Sequence, residues 1–143
     1  MSKYDEAREV LKNSIHRIIG GETPIDFIGL CDFSKSTPDK SILRIPRDSD
    51  HDIMSSVIDL THIKRMIAIE RQKYVEDSYV ETRYEKAKGG VIAWHPVGRH
   101  NMVLLFASRS NTNLSDFEFA VQTNLEELDT EVKAVLDALT AHK

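Results

Sequence analysis

Six histidines and a single cysteine are the residues of this 143-residue chain best suited to acid–base, nucleophilic or metal chemistry. His95 and His100 flank an expected hairpin and stand close enough in sequence to meet. Two imidazoles fall short of the three or four ligands of a zinc site, and Cys31 is remote from both. The two therefore read as solvent-facing hairpin histidines. His16, His51, His62 and His142 have no partner at ligand spacing and read as surface residues. Cys31 lies inside an apolar segment with no adjacent cation to lower its pKa, so it reads as a small buried hydrophobe. No G-x-S-x-G elbow, G-x-x-x-x-G-K-[ST] loop or G-x-G-x-x-G turn occurs. Glu126 and Glu127 fall on the expected solvated face of a helix. The expectation is a protein with no catalytic residue, no metal and no cofactor.

Composition sets the broad class. Apolar residues make up 41% and charged residues 29% of the chain, a core-forming mixture rather than a disordered one. No apolar run reaches the roughly 18 residues of a membrane span. The first ten residues, MSKYDEAREV, lack the apolar stretch of a signal peptide. A lone cysteine fits a reducing, cytoplasmic setting. A net charge of −4 argues against nucleic acid as a partner. Residues 115–143 carry seven acidic and two basic side chains, whereas residues 64–100 carry eight basic and five acidic. The basic set is interleaved with acids, as on an ordinary solvated face.

The elements that must position these side chains follow from periodicity. Tyr4, Ala7, Leu11, Ile15 and Ile18 form one stripe of a helix over residues 3–19, with Ser2 as N-cap and Gly20-Gly21 as its stop. Ile25–Phe33 reads as a strand apolar on both sides: Phe27, Cys31 and Phe33 on one, Ile28 and Leu30 on the other. Gly29 within it points to a bulge or a close backbone approach. A turn over Ser34–Lys40 leads to a short strand, Ser41–Ile45. The next helix, Asp50–Lys73, has two halves whose apolar arcs do not coincide. Ile53, Met54, Val57, Ile58 and Leu60 fill one arc; Ile63, Met66 and Ile67 fill another. Either the helix breaks near Asp59–His62, or its ends bury against different surfaces, the second being another subunit.

Three strands come next. Tyr79–Lys86 is polar and aromatic, with Tyr79 and Tyr84 on opposite faces, which suits a sheet edge or an interface. Val91–Val97 and Asn101–Ser108 follow, with turns at Gly89-Gly90 and Gly98–His100. The last helix opens on a capping box, Ser115 with Glu118, and a staple, Leu114 with Phe119. Its stripe is Val121, Leu125, Leu128, Val132, Val135 and Leu139, more typical of a helix on a sheet than of a coiled coil. The order is helix-strand-strand-helix-strand-strand-strand-helix. Strands buried on both faces need a cover on each. The middle helix covers one face and the terminal helices the other. This predicts an α+β fold, a three-layer α/β/α sandwich around a five-stranded antiparallel sheet, with residues 1–143 as one domain.

That order resembles the roadblock/dynein light chain domains, part of a profilin-like group that includes longin domains. Phe27-Ile28-Gly29-Leu30-Cys31-Asp32 is similar to the family's apolar-Gly-apolar strand ending on an acid. Gly90-Val91-Ile92-Ala93 through Val103-Leu104-Leu105-Phe106 is similar to its closing hairpin. Where the family often has an Asp-Gly turn after the first strand, this chain has Ser34–Lys40 with Pro38. The resemblance implies a homodimer in which middle helices pair and the strands after them join. It implies a scaffold for, or regulator of, a small GTPase.

Three functional expectations follow. The first is a non-enzymatic, dimerising interaction module, with Ile63, Met66, Ile67, Tyr79 and Tyr84 at its interface. The second is a profilin-like small-molecule sensor with a pocket lined by Phe27, Trp94 and Phe106. The third is an enzyme of an unrecognised class.

Overall fold

The computed structural model describes residues 2–32, 41–47, 60–73, 82–87, 89–97, 102–109 and 111–141. Its elements are α1 (Lys3–Gly20), β1 (Phe27–Asp32), β2 (Ser41–Pro46), α2 (Leu60–Lys73), β3 (Arg83–Ala87), β4 (Gly90–Val97), β5 (Met102–Arg109) and α3 (Leu114–Ala141). The five strands form one antiparallel sheet in the order β2-β1-β5-β4-β3. The three-layer α+β sandwich is therefore present in the expected order. The Ser34–Lys40 turn, the Gly98–His100 turn, Tyr79 and the expected first half of the middle helix lie outside the described residues.

Alternation along β1 and β5 decides what each face buries. Ile28, Leu30, Leu104 and Phe106 join Leu11, Ile15, Val121, Leu128, Val132 and Val135 in a core under α1 and α3. Phe27, Cys31, Ile92, Trp94, Val103, Leu105 and Ala107 form a second core with Ile63 and Ile67 of α2. Each fully buried large apolar side chain contributes roughly 1.5–3 kcal/mol, so both covers are needed to hold the sheet.

α1 starts where Ser2 accepts a hydrogen bond from the Asp5 N–H at 3.1 Å. It ends at Gly20, and Gly21 continues in an extended conformation. The start of α3 differs from the expected capping box. Asn113 is the cap: its side-chain oxygen accepts from the Ser115 N–H at 2.8 Å, and its carbonyl accepts from the Phe117 N–H at 3.0 Å. Phe117, four residues before Val121 on the same stripe, is fully buried, whereas Phe119 falls off the stripe and is 75% exposed. The helix begins one residue before Ser115, so Phe119 has no role in a staple.

A polar seam pins the entry to β1 between its two neighbours. The Arg47 guanidinium donates to Asp26 Oδ1 at 3.1 Å, the Thr23 carbonyl at 2.7 Å and the Ile25 carbonyl at 2.8 Å. Asp26 Oδ2 accepts from the Arg109 N–H at 3.0 Å and from the Ser108 hydroxyl at 3.3 Å. Those bonds tie β2, β1 and β5 together at one end of the sheet.

Gly29 meets the expectation of close approach. A Cβ there would lie 2.9 Å from the Phe27 ring and 3.1 Å from the Leu43 carbonyl oxygen. The pairing of β1 with β2 also shifts register at Leu30/Cys31. Gly29→Ala is expected to cost about 1–3 kcal/mol through overpacking, seen as a lower urea midpoint at unchanged slope. With Phe27→Leu in the same chain the combined loss should fall below the sum of the single losses. Strict additivity would show that the ring is not the obstacle.

Candidate functional site

The most organised polar cluster centres on a histidine that the sequence places on a hairpin surface. The β3–β4 ladder runs from Ala87↔Gly90 to Arg83↔Trp94. One step further, Thr82 stands opposite His95. Beyond that step β4 pairs only with β5, among the described residues, and Pro96 follows there. A proline, with no N–H to offer, is tolerated where a strand lacks a partner on one side.

His95 faces α3 and is only 9% exposed. Its Nε2 lies 3.2 Å from Asp129 Oδ1, and its Nδ1 lies 3.0 Å from the Thr82 hydroxyl. The other carboxylate oxygen of Asp129 accepts from the Lys133 ammonium at 2.8 Å, one helical turn on. A carboxylate only accepts, so the network assigns the proton to His95 Nε2. Nδ1 is then the acceptor for the Thr82 hydroxyl. The chain of bonds runs from hydroxyl to imidazole to carboxylate to ammonium. Burial pushes the imidazole below the usual histidine value, against the opposing pull of the Asp129 hydrogen bond and charge, while Lys133 pushes it lower still. The ring is therefore neutral at pH 7. His95 is not the solvent-facing residue expected, because the α3 stripe brings Asp129 over it; His100 lies outside the described residues.

The other candidates fall elsewhere. His62 of α2 bonds Glu85 of β3 at 3.0 Å on the opposite face of the sheet and meets Trp94 edge-on. His16 is exposed on α1. Cys31 is fully buried. Among the described residues no group of three or more His, Cys, Asp or Glu side chains is placed to hold a metal ion. No described helix is long and apolar enough to cross a membrane.

The expected interface residues separate. Ile63 is 0% and Ile67 6% exposed, and both pack on the sheet of their own chain. That corrects their assignment to a subunit interface: the apolar α2-side face of the sheet needs a cover, and this arc supplies it. Met66 is half-buried at the margin of the same core. Among the described side chains of α2, Ile69 is the exposed large apolar one, at 41%. Tyr84 is half-buried on the α3 side, edge-on to Phe117 and hydrogen-bonded to Gln122. The expected sensor lining also divides. Phe27 and Trp94 lie in the α2-side core, whereas Phe106 lies in the other. One pocket wall cannot include all three. The Trp94 indole N–H is buried with no acceptor among the described residues.

A second polar contact, part-buried at Ser14 and exposed at Arg17, joins α1 to α3. The Ser14 hydroxyl donates to Glu131 Oε1 at 2.6 Å, and Arg17 pairs with Glu127. Burial pushes the Glu131 carboxyl above the usual range.

These two shifts act on stability with opposite signs. As pH falls below about 6.5, the ordinary histidine value, the unfolded chain takes up a proton that folded His95 refuses. The His95 contribution is thus full above that pH and is lost as pH falls toward the folded value. Glu131 holds a proton in the folded chain that the unfolded chain releases. Its contribution is lost as pH rises from the ordinary glutamate value through the raised one. Urea unfolding at several pH values, with His95→Gln as reference, separates them. The stability difference between wild type and variant should shrink as pH drops from about 7.5 to 5.5, a window below and around the ordinary histidine value. A constant difference would mean that the ring is not held neutral by burial.

Compared with protein-family models and with curated proteins, the sequence matches none.

Proposed function

We propose that the protein is a non-enzymatic interaction module that works as a homodimer, joined across the β3 edge and the outer side of α2. The observation that supports this most is the rim of the sheet. β3 is the last strand in the order, with β4 as its one neighbour among the described strands. Its residues are nevertheless mostly half-buried. A strand at the end of a sheet is where a second strand can add. A twofold axis there would place the same edge of both copies together. Ile69 adds exposed apolar surface on the adjacent helix, and a stable interface needs roughly 800 Å² from each partner. Tyr79, expected at this interface, lies outside the described residues. The partner class that accompanies the roadblock resemblance is a small GTPase, for which the dimer would be a scaffold or regulator.

Light scattering after size exclusion tests the dimer. Wild type should run at twice the chain mass. Ile69→Glu should weaken association by roughly tenfold or more, about 1.4 kcal/mol, with an unchanged circular-dichroism spectrum. Phe119→Glu, on the far side of α3, should leave it intact. A strictly monomeric wild type would overturn the reading. A panel of immobilised small GTPases that retains none of the wild-type chain would remove the partner half alone.

A further inference from the structure

We propose that Thr82 is an acyl-acceptor site: its hydroxyl, held by His95 and Asp129, takes an acyl group from an activated donor such as an ester with a good leaving group. This does not depend on the dimer, and stoichiometric self-acylation is compatible with a module that turns nothing over.

The argument is geometric. An activated hydroxyl needs a base within about 2.6–3.2 Å and a third group that orients the base. Thr82 Oγ1 lies 3.0 Å from His95 Nδ1, and Asp129 Oδ1 lies 3.2 Å from His95 Nε2. Lys133 occupies the second oxygen of Asp129 at 2.8 Å, which leaves Oδ1 aimed at the ring. Strand register sets Thr82 opposite His95, and helix α3 carries both Asp129 and Lys133, so three separate elements converge. His95 is buried, while Thr82, at the end of the described β3–β4 ladder, is half-buried. The base is thus screened from water, and Thr82 keeps part of its surface exposed.

Other threonine hydroxyls are engaged differently. Thr123 and Thr130 donate to the backbone carbonyls of Phe119 at 2.7 Å and Glu126 at 3.0 Å. Thr112 bonds the Ser108 hydroxyl at 2.6 Å. Thr82 is the described threonine whose hydroxyl faces a ring nitrogen.

The step balances without a further reagent. His95 Nδ1 takes the Thr82 proton as Oγ1 bonds the acyl carbon. Asp129 stabilises the imidazolium that forms. The tetrahedral intermediate collapses, the bond from acyl carbon to leaving oxygen breaks, and the departing oxygen receives the proton from Nδ1. Hydroxyl plus ester gives Thr82 ester plus alcohol. Positioned base catalysis supplies typically ~10²–10⁴-fold, which suits an activated ester and falls short of an amide.

The test is incubation of the full chain with p-nitrophenyl acetate, read by nitrophenolate release and by peptide mass spectrometry. One acetyl group should appear on Thr82 at least ~10²-fold faster than on Thr123 or Thr130. Thr82→Ser should retain labelling; Thr82→Val and His95→Gln should abolish it. Asp129→Asn, at a positioning residue, should slow it and displace the pH profile, which in wild type rises as His95 loses its proton. If His95→Gln fails to fold, the Ser and Val pair at position 82 decides. Acetylation confined to lysines or to His95, or equal label release from Thr82→Val, overturns the proposal.

Discussion

The fold rests on one constraint: the central strands of the sheet are apolar on both sides. β1 is paired on both edges, by β2 and β5, and buried on both faces. Neither face tolerates water, so a single helical layer leaves half of the apolar surface exposed. α1 and α3 close one side and α2 closes the other. Apolar burial at roughly 25 cal/mol per Å² outweighs any one hydrogen bond, worth about 1 kcal/mol net. The cores therefore decide that the chain folds, and the polar contacts decide how the layers are aligned.

Those polar contacts sit at opposite ends of the sheet. At one, Asp26 and Arg47 bond each other and satisfy the Arg109 N–H of β5 and the Thr23 and Ile25 carbonyls in the loop before β1. Their bonding capacity is spent on the chain itself. At the other, Thr82, His95 and Asp129 bond mainly to one another. An aspartate thus helps to hold backbone in one place and belongs to a side-chain relay in the other.

Alternation made the layers legible. The two-sided pattern of Phe27 to Cys31 and of Met102 to Ala107 carries the information that helices lie front and back. The α3 stripe was equally readable because its repeat is long. Ile63 and Ile67 cover the sheet of their own chain and not a second subunit. A stripe shows that a helix buries one side, not whose surface covers it. Phe119 misleads because Asn113, two residues before Ser115, is an equally suitable capping residue, and that offset of two exchanges Phe117 for Phe119 in the core. The His95 cluster was invisible because Thr82, His95 and Asp129 are far apart in sequence and none sits in a local motif. The one available signal was register: a hairpin turned at Gly89, where φ is 93°, brings Thr82 and His95 across from each other.

The sole tryptophan of the chain belongs to the α2-side core, with its ring edge-on to His62 of α2 at a centroid distance of 6.3 Å. The layer beneath α1 and α3 contains no other indole. Intrinsic emission excited at the red edge of the absorption band therefore speaks for one side of the molecule only. A lift of α2 from the sheet would wet this chromophore and shift its spectrum, while loosening of the opposite layer would pass unseen.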